Sequence, residues 1–397
     1  MADNNENKVL NVPHLRFPEF SGEWKRVELK DVAEFQKSRI PADSLDASCY
    51  ISTENLIPNF GGIKEASSIP TDGNVMAIKP NDILISNIRP YLKKVWQSDR
   101  FGGCSADVFV LRTTRCQSDF LYNIIASDKF INYAMSGAKG VKMPRGDKRQ
   151  MEEFEFSIPA IEEQNRISRL LSLLDERIAT QNKIIEKYES LIKGLNDSLY
   201  AQYGDDVLTS FSSLGFSYSG LSGKSAQDFG SGKPFITYLN VYSNNIINEK
   251  DFQYVAIKEG EKQNVVEYGD VLFTLSSETP EEVGIGSVYL GNENVYLNSF
   301  CFGIHIINTK IAFPPYLSYY VSSTPFRKFI YPYAQGSTRF NLCKVDFEKA
   351  SIKLPSLENQ KRIYSILSHI ETKTETEKSL LDLYNSQKQY LLRQMFI

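Results

Sequence analysis

Three short motifs in the sequence resemble catalytic or nucleotide-binding signatures, and each lacks a residue that its chemistry needs. Gly223-Lys224-Ser225 matches the end of a phosphate-binding loop, but Tyr218 stands where that loop needs its first glycine. Phe313-Pro314-Pro315-Tyr316 resembles the N/D-P-P-Y/F motif of amine-methylating enzymes, but Phe313 cannot accept a hydrogen bond from a target amine. Gly284-Ile285-Gly286 lacks the third glycine of a turn that binds a methyl donor or dinucleotide. The sequence therefore predicts no catalytic residue and no cofactor.

Metal chemistry also lacks support, because the histidines are isolated. His14, His305 and His369 lie far from one another and from any closely spaced cysteine pair, so we predict no zinc site. The five cysteines are scattered and odd in number, which is typical of buried thiols in a reducing cytoplasm. The N-terminal residues are polar and no apolar run is long enough to cross a membrane, so we expect a cytoplasmic protein without membrane contact.

Several turn-rich segments combine arginine and lysine with asparagine, serine and aromatic residues, a mixture that suits DNA. Arginine can fork onto guanine, asparagine can pair with adenine, and lysine can fix phosphates. The most basic segment, 139–149, has five Lys or Arg in eleven residues. The predicted DNA-binding residues are Arg89, Lys93, Lys94, Lys139, Lys142, Arg145, Lys148, Lys224, Tyr238, Asn240, Arg339 and Asn341.

The length and the net charge of the chain limit how these residues can be interpreted. A chain of 397 residues is too long for one ordinary core, so two or three domains are expected. The formal charge of −3 gives no global attraction to phosphate. Because electrostatic attraction falls off within about 8–10 Å at ordinary salt, any contact with DNA must come from local basic patches.

The sequence contains a long internal repeat, and this repeat decides the predicted architecture. The repeated segments, 158–178 and 353–373, each run from a short strand into a long amphipathic helix. The register continues without a gap almost to the C-terminus. The aligned pairs include Pro159 with Pro355, Gln164 with Gln360, Ile167 with Ile363 and Tyr188 with Tyr384.

Both long helices carry the heptad pattern of a coiled coil. The first, predicted over about 162–200, would be about 57 Å long and has nine apolar or aromatic residues at its ten a and d positions. The second has polar residues, Thr374, Glu377 and Lys388, within the same pattern. The predicted helix-packing residues are Leu171, Leu174, Ile178, Ile185, Tyr188, Leu195, Ile363, Leu367, Ile370, Leu381 and Tyr384.

The segments before the two helices are also similar, which predicts an α+β fold with two globular domains and two long antiparallel coiled-coil helices. The predicted domains are 1–158 and 204–354, and the predicted spacer helices are 159–203 and 355–397. Within the domains, 119–136 and 315–329 are predicted to be helical, and 154–158 and 350–354 are predicted last strands.

The chain resembles the specificity subunits of type I restriction-modification systems over nearly its whole length. Residues 12–24 (VPHLRFPEFSGEW) are similar to the usual start of such subunits. Residues 158–164 and 354–360 resemble the proline–leucine–x–x–E–Q start of the family's two central helices. The doubled motif carries most of the resemblance.

The resemblance implies a non-catalytic subunit that reads double-stranded DNA. It implies two target-recognition domains, each reading one half of a bipartite target, with the helices setting the distance between half-sites. It also implies docking to DNA adenine methyltransferase subunits, which use S-adenosylmethionine, and to ATP-dependent translocase-nuclease subunits.

Two other functions remain open at the level of sequence. The chain could be a self-contained DNA-modifying enzyme with a degenerate cofactor site, although the incomplete motifs speak against this. It could also be a coiled-coil scaffold with globular ends and no role in DNA binding. Methyl transfer by the chain alone would favour the first function, and binding to DNA that weakens with salt would exclude the second.

Overall fold

The computed structural model of the chain describes residues 10–204 and 206–397 and divides into two compact units. Unit 1 contains the described residues up to 181 together with 380–397, and unit 2 contains 182–379. The polar N-terminal residues 1–9, and Asp205 at a predicted domain boundary, lie outside the described residues.

Between residue 10 and the first long helix, the described residues form ten short strands and four short α-helices. In chain order they are β1 (Lys25–Glu28), α1 (Leu29–Val32), β2 (Ala33–Phe35), β3 (Arg39–Pro41), β4 (Tyr50–Ile51), β5 (Asn74–Ile78), β6 (Ile83–Ser86), β7 (Val95–Gln97), β8 (Gly102–Cys104), β9 (Val108–Thr113), α2 (Ser118–Ile125), α3 (Asp128–Ser136), α4 (Lys148–Glu152) and β10 (Glu155–Ile158).

The rest of the chain begins and ends with a long helix. In order, the elements are α5 (Ile161–Tyr203), β11 (Val207–Thr209), α6 (Phe211–Leu214), β12 (Gly215–Ser219), β13 (Phe229–Ile236), α7 (Tyr238–Ser243), β14 (Gln253–Val255), β15 (Val271–Thr274), β16 (Ser276–Ser277), β17 (Gly286–Val288), β18 (Tyr296–Leu297), β19 (Cys301–Ile306), α8 (Pro314–Tyr320), α9 (Thr324–Ile330), β20 (Ala334–Gln335), β21 (Phe340–Leu342), α10 (Lys344–Lys349), β22 (Ile352–Leu354) and α11 (Leu357–Met395).

The two units have the same central sheet. Its strand order is β2-β9-β6-β7 in unit 1 and β12-β19-β15-β17 in unit 2. In both units a short strand pair, β1–β10 or β11–β22, joins the first strand of the domain to the last strand before a long helix. The main apolar core of each unit lies between the central sheet, the short helices and the long helices. The α+β fold predicted from sequence is confirmed, and the repeat extends through the domains.

Both predicted helices within the domains are broken at the same place. Residues 119–136 form α2 and α3, and residues 315–329 fall in α8 and α9. The second helix of each pair begins after a serine, Ser127 or Ser323, whose hydroxyl accepts from the backbone N–H three residues later at 3.3 Å. A serine at this position satisfies a free N–H of a new helix start, so each continuous prediction was wrong at its centre.

A buried glutamine fixes the start of each long helix against its domain. The Gln164 side chain donates to the Pro159 carbonyl at 2.9 Å and accepts from the Gln117 backbone N–H at 2.9 Å. Gln360 repeats this, donating to the Pro355 carbonyl and accepting from the Phe313 backbone N–H, both at 2.8 Å. The repeat in the sequence therefore corresponds to equivalent hydrogen bonds in the fold.

We expect Gln164→Leu to destabilise unit 1 by about 2–4 kcal/mol, because the buried Pro159 carbonyl and Gln117 N–H lose their partner. Both tryptophans of the chain, Trp24 and Trp96, belong to unit 1, so urea unfolding followed by tryptophan fluorescence reports on that unit. Asn165→Leu at the exposed neighbouring position is the control, with an expected change below about 0.5 kcal/mol. Equal effects of both substitutions would contradict the role given to Gln164.

The two long helices pack antiparallel, with the heptad positions facing inward. In unit 1, Lys388 Nζ lies 2.5 Å from Asp175 Oδ1, and in unit 2, Lys378 Nζ lies 3.0 Å from Glu189 Oε1. Residue numbers of the paired side chains therefore increase along α5 while they decrease along α11, as antiparallel helices require. The predicted packing residues are buried or half-buried in the structure: Leu171, Leu174, Ile178, Ile185, Tyr188, Leu195, Ile363, Leu367, Ile370, Leu381 and Tyr384.

The polar heptad positions of α11 are compatible with packing. Thr374 is only 3% exposed, and its hydroxyl donates to the Ile370 carbonyl of its own helix at 2.9 Å. Lys388 keeps its charge paired with Asp175. Met395, at the end of α11, is 2% exposed and belongs to the apolar core of unit 1.

A buried carboxylate stands before the equivalent strands β6 and β15. In unit 1, Asp82 binds Arg112 through two contacts of 2.7 Å, and its other close donor is the Lys79 backbone N–H at 2.8 Å. This ion pair raises the pKa of Arg112 through its hydrogen bonds to Asp82. The carboxylate is 1% exposed, so arginine compensates a charge that water cannot reach.

In unit 2 the carboxylate has different partners. Asp270 contacts His305 Nδ1 at 2.8 Å and accepts from the Tyr218 hydroxyl at 2.6 Å and the Glu267 backbone N–H at 2.9 Å. Burial raises the pKa of Asp270, and the hydrogen bonds oppose this shift. His305 is therefore a strand residue whose ring has a hydrogen-bonded partner in Asp270.

Among the described residues, no helix is both long and apolar enough to cross a membrane.

Candidate nucleic-acid interface

The most basic predicted segment forms a hairpin in unit 1. The backbone N–H groups of Lys139 and Arg145 each donate to the other's carbonyl, at 3.0 and 2.9 Å. A bridge between Ile88 and Arg145 fixes the hairpin beside the end of β6. We call residues 139–145 the first hairpin.

An equivalent hairpin exists in unit 2, and we call residues 335–341 the second hairpin. Gln335 pairs with Asn341, and Asn341 also pairs with Ser276 after β15. Arg145 and Asn341 therefore occupy equivalent places, as do Lys139 and Gln335. The two hairpins share a backbone and differ in side chains.

Each hairpin turns at a glycine with positive φ. Gly140 has φ +99° and Gly336 has φ +140°, and a Cβ at either would meet the carbonyl oxygen of the third following residue, Met143 or Arg339, at 3.2 or 2.1 Å. Only glycine adopts this backbone without strain, so the turn explains why the glycine recurs at the same place in both repeats.

The tip of the first hairpin is exposed and mixes charge with apolar surface. Lys142 is exposed, as are Val141 at 101% and Met143 at 47% of their reference areas. At the hairpin base, Lys139 Nζ lies 3.0 Å from Asp147 and Arg145 Nη1 lies 2.7 Å from Asp107. Lys142 is therefore suited to a phosphate, and the apolar tip residues are suited to a groove.

A strained turn lies next to the first hairpin. Arg89 and Lys93 flank the turn Pro90–Leu92, with φ values of +51° and +55°. The Arg89 backbone N–H donates to the Pro144 carbonyl at 2.8 Å, which joins the turn to the hairpin. Tyr91, which the prediction omitted, is 49% exposed at the apex. Left-handed backbone at non-glycine residues costs free energy and is frequent at functional surfaces.

The corresponding turn in unit 2, Pro280–Glu282, is acidic. Glu278 and Glu281 are exposed there, and the turn is held by Arg327, whose guanidinium donates to the carbonyls of Glu281, Val283 and Gly284 at 2.7 Å. Burial lowers the pKa of Arg327 to about 10. The turns beside the two hairpins therefore differ in charge and in backbone conformation, because Thr279 and Val283, which flank Pro280–Glu282, have negative φ.

The structure gives internal partners to several predicted DNA-binding residues. Lys94 Nζ donates to the Thr53 carbonyl at 2.6 Å, and burial lowers its pKa. Lys93 Nζ pairs with Asp128 at 2.6 Å. Lys148 Nζ lies 4.6 Å from the Phe109 ring centre, and Lys344 repeats this contact in unit 2 at 4.9 Å from Phe302. A contact made in both units indicates a structural contribution from Lys148.

Two predicted residues of unit 2 lie inside the domain. The Lys224 side chain is 5% exposed and its Nζ lies 2.5 Å from Glu261. Asn240 is 2% exposed, and its carboxamide bonds the backbone N–H and carbonyl of Asn248 at 3.0 and 2.9 Å. Buried side chains with satisfied hydrogen bonds cannot reach a base edge, so both residues are corrected to structural positions.

The remaining predicted residues of unit 2 belong to the second hairpin or support it. Arg339 and Asn341 are exposed on it. The Tyr238 hydroxyl donates to the Ser276 carbonyl at 2.9 Å, and Ser276 pairs with Asn341. Tyr238 therefore stabilises the strand that pairs with the second hairpin. The structure thus brings Arg89, Lys139, Lys142 and Arg145 together in unit 1, and Arg339 and Asn341 together in unit 2.

The described residues also include no cluster of three or more histidine, cysteine, aspartate or glutamate side chains that could hold a metal ion.

The chain repeats one α+β domain, and each copy carries an exposed polar hairpin. Its two long helices, α5 and α11, pack together. These features define a class of modular recognition protein. The chain belongs to the family described as Type I restriction modification DNA specificity domain, whose sequence model matches residues 21–190 and 222–383. It is a specificity subunit with two such domains, and its family is non-catalytic.

Curated relatives match only part of this chain. The type I restriction enzyme MjaVIII specificity subunit of Methanocaldococcus jannaschii is 25% identical over 202 residues, which are 50% of this chain and 46% of the relative. The EcoDI specificity subunit of Escherichia coli is 24% identical over 206 residues, which are 50% and 45% of the two chains. The match thus spans less than half the length of each relative.

Solved structures resemble the fold over nearly the whole chain. The type I restriction-modification S subunit from M. genitalium has a TM-score of 0.57 and 15% identity, covering 97% of this chain and 99% of its own. A chain from a study of complex assembly and conformational transition of the type I R-M system also has a TM-score of 0.57, with 19% identity and coverages of 93% and 96%. At such identities the likeness shows the fold.

Proposed function

We propose that this chain reads a bipartite DNA target for a type I restriction-modification complex, one half-site with each unit. The observation that carries the proposal is the repeated hairpin, which has equivalent main-chain bonds in the two units and different side chains at its exposed positions. Equal backbones with unequal side chains suit two different short sequences. The recognition domains would be 1–158 and 204–354, and the spacer helices 159–203 and 355–397.

The proposal includes docking of methyltransferase subunits and ATP-dependent translocase-nuclease subunits. Its support is the family, together with the similar chain from a study of assembly of the type I R-M system.

Binding of the full chain to random-sequence duplex DNA, measured by fluorescence anisotropy from 50 to 300 mM salt, tests the DNA role. We expect Lys142→Ala to weaken binding to all sequences and to reduce the slope of log K against log salt by about 1, because one phosphate contact is lost. Lys25→Ala, at an exposed lysine on β1, is the matched control and should leave the slope unchanged. Binding by the wild-type chain that does not respond to salt would exclude this function.

A further inference from the structure

We propose that position 145 of the first hairpin and position 341 of the second are corresponding base-reading positions, with Arg145 selecting guanine and Asn341 selecting adenine. This inference rests on the proposed function and adds the identity of one base in each half-site. It follows from the equivalent main-chain surroundings of the two residues and from the donor and acceptor chemistry of their side chains.

The correspondence between the two positions is set by main-chain hydrogen bonds. The residue after each position donates to an equivalent carbonyl, Gly146 to Asn87 at 3.1 Å and Leu342 to Leu275 at 2.8 Å. In turn, Asn87 donates to the Asp107 carbonyl at 2.8 Å and Leu275 to the Phe300 carbonyl at 2.9 Å. Asp107 and Phe300 are therefore corresponding neighbours of the two reading positions.

In unit 1 the neighbour holds the arginine in one orientation. Arg145 Nη1 lies 2.7 Å from Asp107 Oδ1, while the arginine side chain remains 51% exposed. Within residues 10–204 and 206–397, Nη1 is the guanidinium nitrogen that binds protein, which leaves Nε and Nη2 as a fork of donors. Guanine offers two acceptors, O6 and N7, at the spacing that such a fork matches.

In unit 2 both members of the pair are different. Asn341 is exposed on β21, and its carboxamide offers one donor face and one acceptor, which match N7 and the N6 amino group of adenine. Phe300 replaces the carboxylate and is 59% exposed, so it offers an apolar contact for a thymine methyl group. Asn341 and Phe300 together therefore suit an A·T pair, because the carboxamide can bind adenine and the phenyl ring can contact the thymine methyl group.

A rival explanation is that Asp107 and Arg145 form an ordinary surface ion pair that only stiffens the first hairpin. Such pairs at exposed sites contribute at most about 1 kcal/mol to stability and carry no sequence information. The two explanations differ for Arg145→Asn. Asparagine removes the ion pair under both explanations, but only base reading at position 145 predicts that the selected guanine changes to adenine.

Selection of bound sequences from a randomised duplex library by the full chain tests the proposal. We expect Arg145→Asn to change one guanine of the wild-type target to adenine, with a change in preference of about 10- to 100-fold, and to leave the other half-site unchanged. Asn341→Arg should make the reverse change in the other half-site.

The possible outcomes separate this inference from the proposed function. If the wild-type chain selects a divided sequence and both substitutions leave every base unchanged, the assignment of positions 145 and 341 is wrong and the proposed function stands. If the wild-type chain selects no sequence, the proposed function fails and this inference fails with it. Tryptophan fluorescence checks that unit 1 is folded in the Arg145→Asn variant, and Asn341→Arg tests the idea independently in unit 2.

Discussion

Inserting one heptad into both long helices is expected to lengthen the spacer between half-sites by about three base pairs, because seven residues add about 10 Å of helix and one base pair occupies about 3.4 Å. The insertions belong after Gln181 in α5 and after Ser379 in α11, where the division between units falls in each helix. A whole heptad keeps the apolar seam in phase, so both helices retain their packing. Selection from a duplex library, with the spacing between half-sites scored, measures the result.

Under the proposed reading of a bipartite target, the expected effect is large because both half-sites would be bound at once. A target with the wild-type spacing should lose about 100-fold or more in affinity for the extended chain, since one half-site can no longer be reached. A heptad added to α5 alone is the control, because it puts α5 out of step with α11 and should weaken binding at every spacing. Selection of the original spacing by the doubly extended chain would show that the helices do not set the distance.

The long helices could be predicted because their sequence pattern is local and continuous. Gln164 and Gln360 are separated by the same offset as the hairpin glycines, Gly140 and Gly336. Heptad spacing then placed the buried face of α5 and α11 without knowledge of any distant contact.

The neighbours of the reading positions could not be predicted, because the offset between the repeats changes inside the domains. The difference in residue number is smaller between Asp82 and Asp270 than between the two hairpin glycines. It has a third value between Asp107 and Phe300, because loops of different length separate the strands in the two units. A single offset therefore cannot align Asp107 with Phe300, and no sequence pattern pairs Asp107 with Arg145. Only the hydrogen bonds between strands bring these residues into register.

The burial of Lys224 and Asn240 was missed for a related reason. Each lies in a polar, turn-rich segment, and such segments are usually exposed. The partner of Lys224 is Glu261, which lies far along the chain, and Asn240 is used to fix the backbone of Asn248. A polar residue that ties two turns together has the same local sequence as one that faces solvent, so contact with a distant residue decides its role.

Arg112→Leu is expected to destabilise unit 1 by about 3–5 kcal/mol at neutral pH, because Asp82 then keeps a buried charge without its arginine. The carboxylate would retain the Lys79 backbone N–H and lose both arginine contacts of 2.7 Å. Urea unfolding followed by the fluorescence of Trp24 and Trp96 reports this loss, since both tryptophans lie in unit 1. Arg115→Leu, at an exposed arginine of the same segment, is the control and should change the free energy of unfolding by less than about 0.5 kcal/mol.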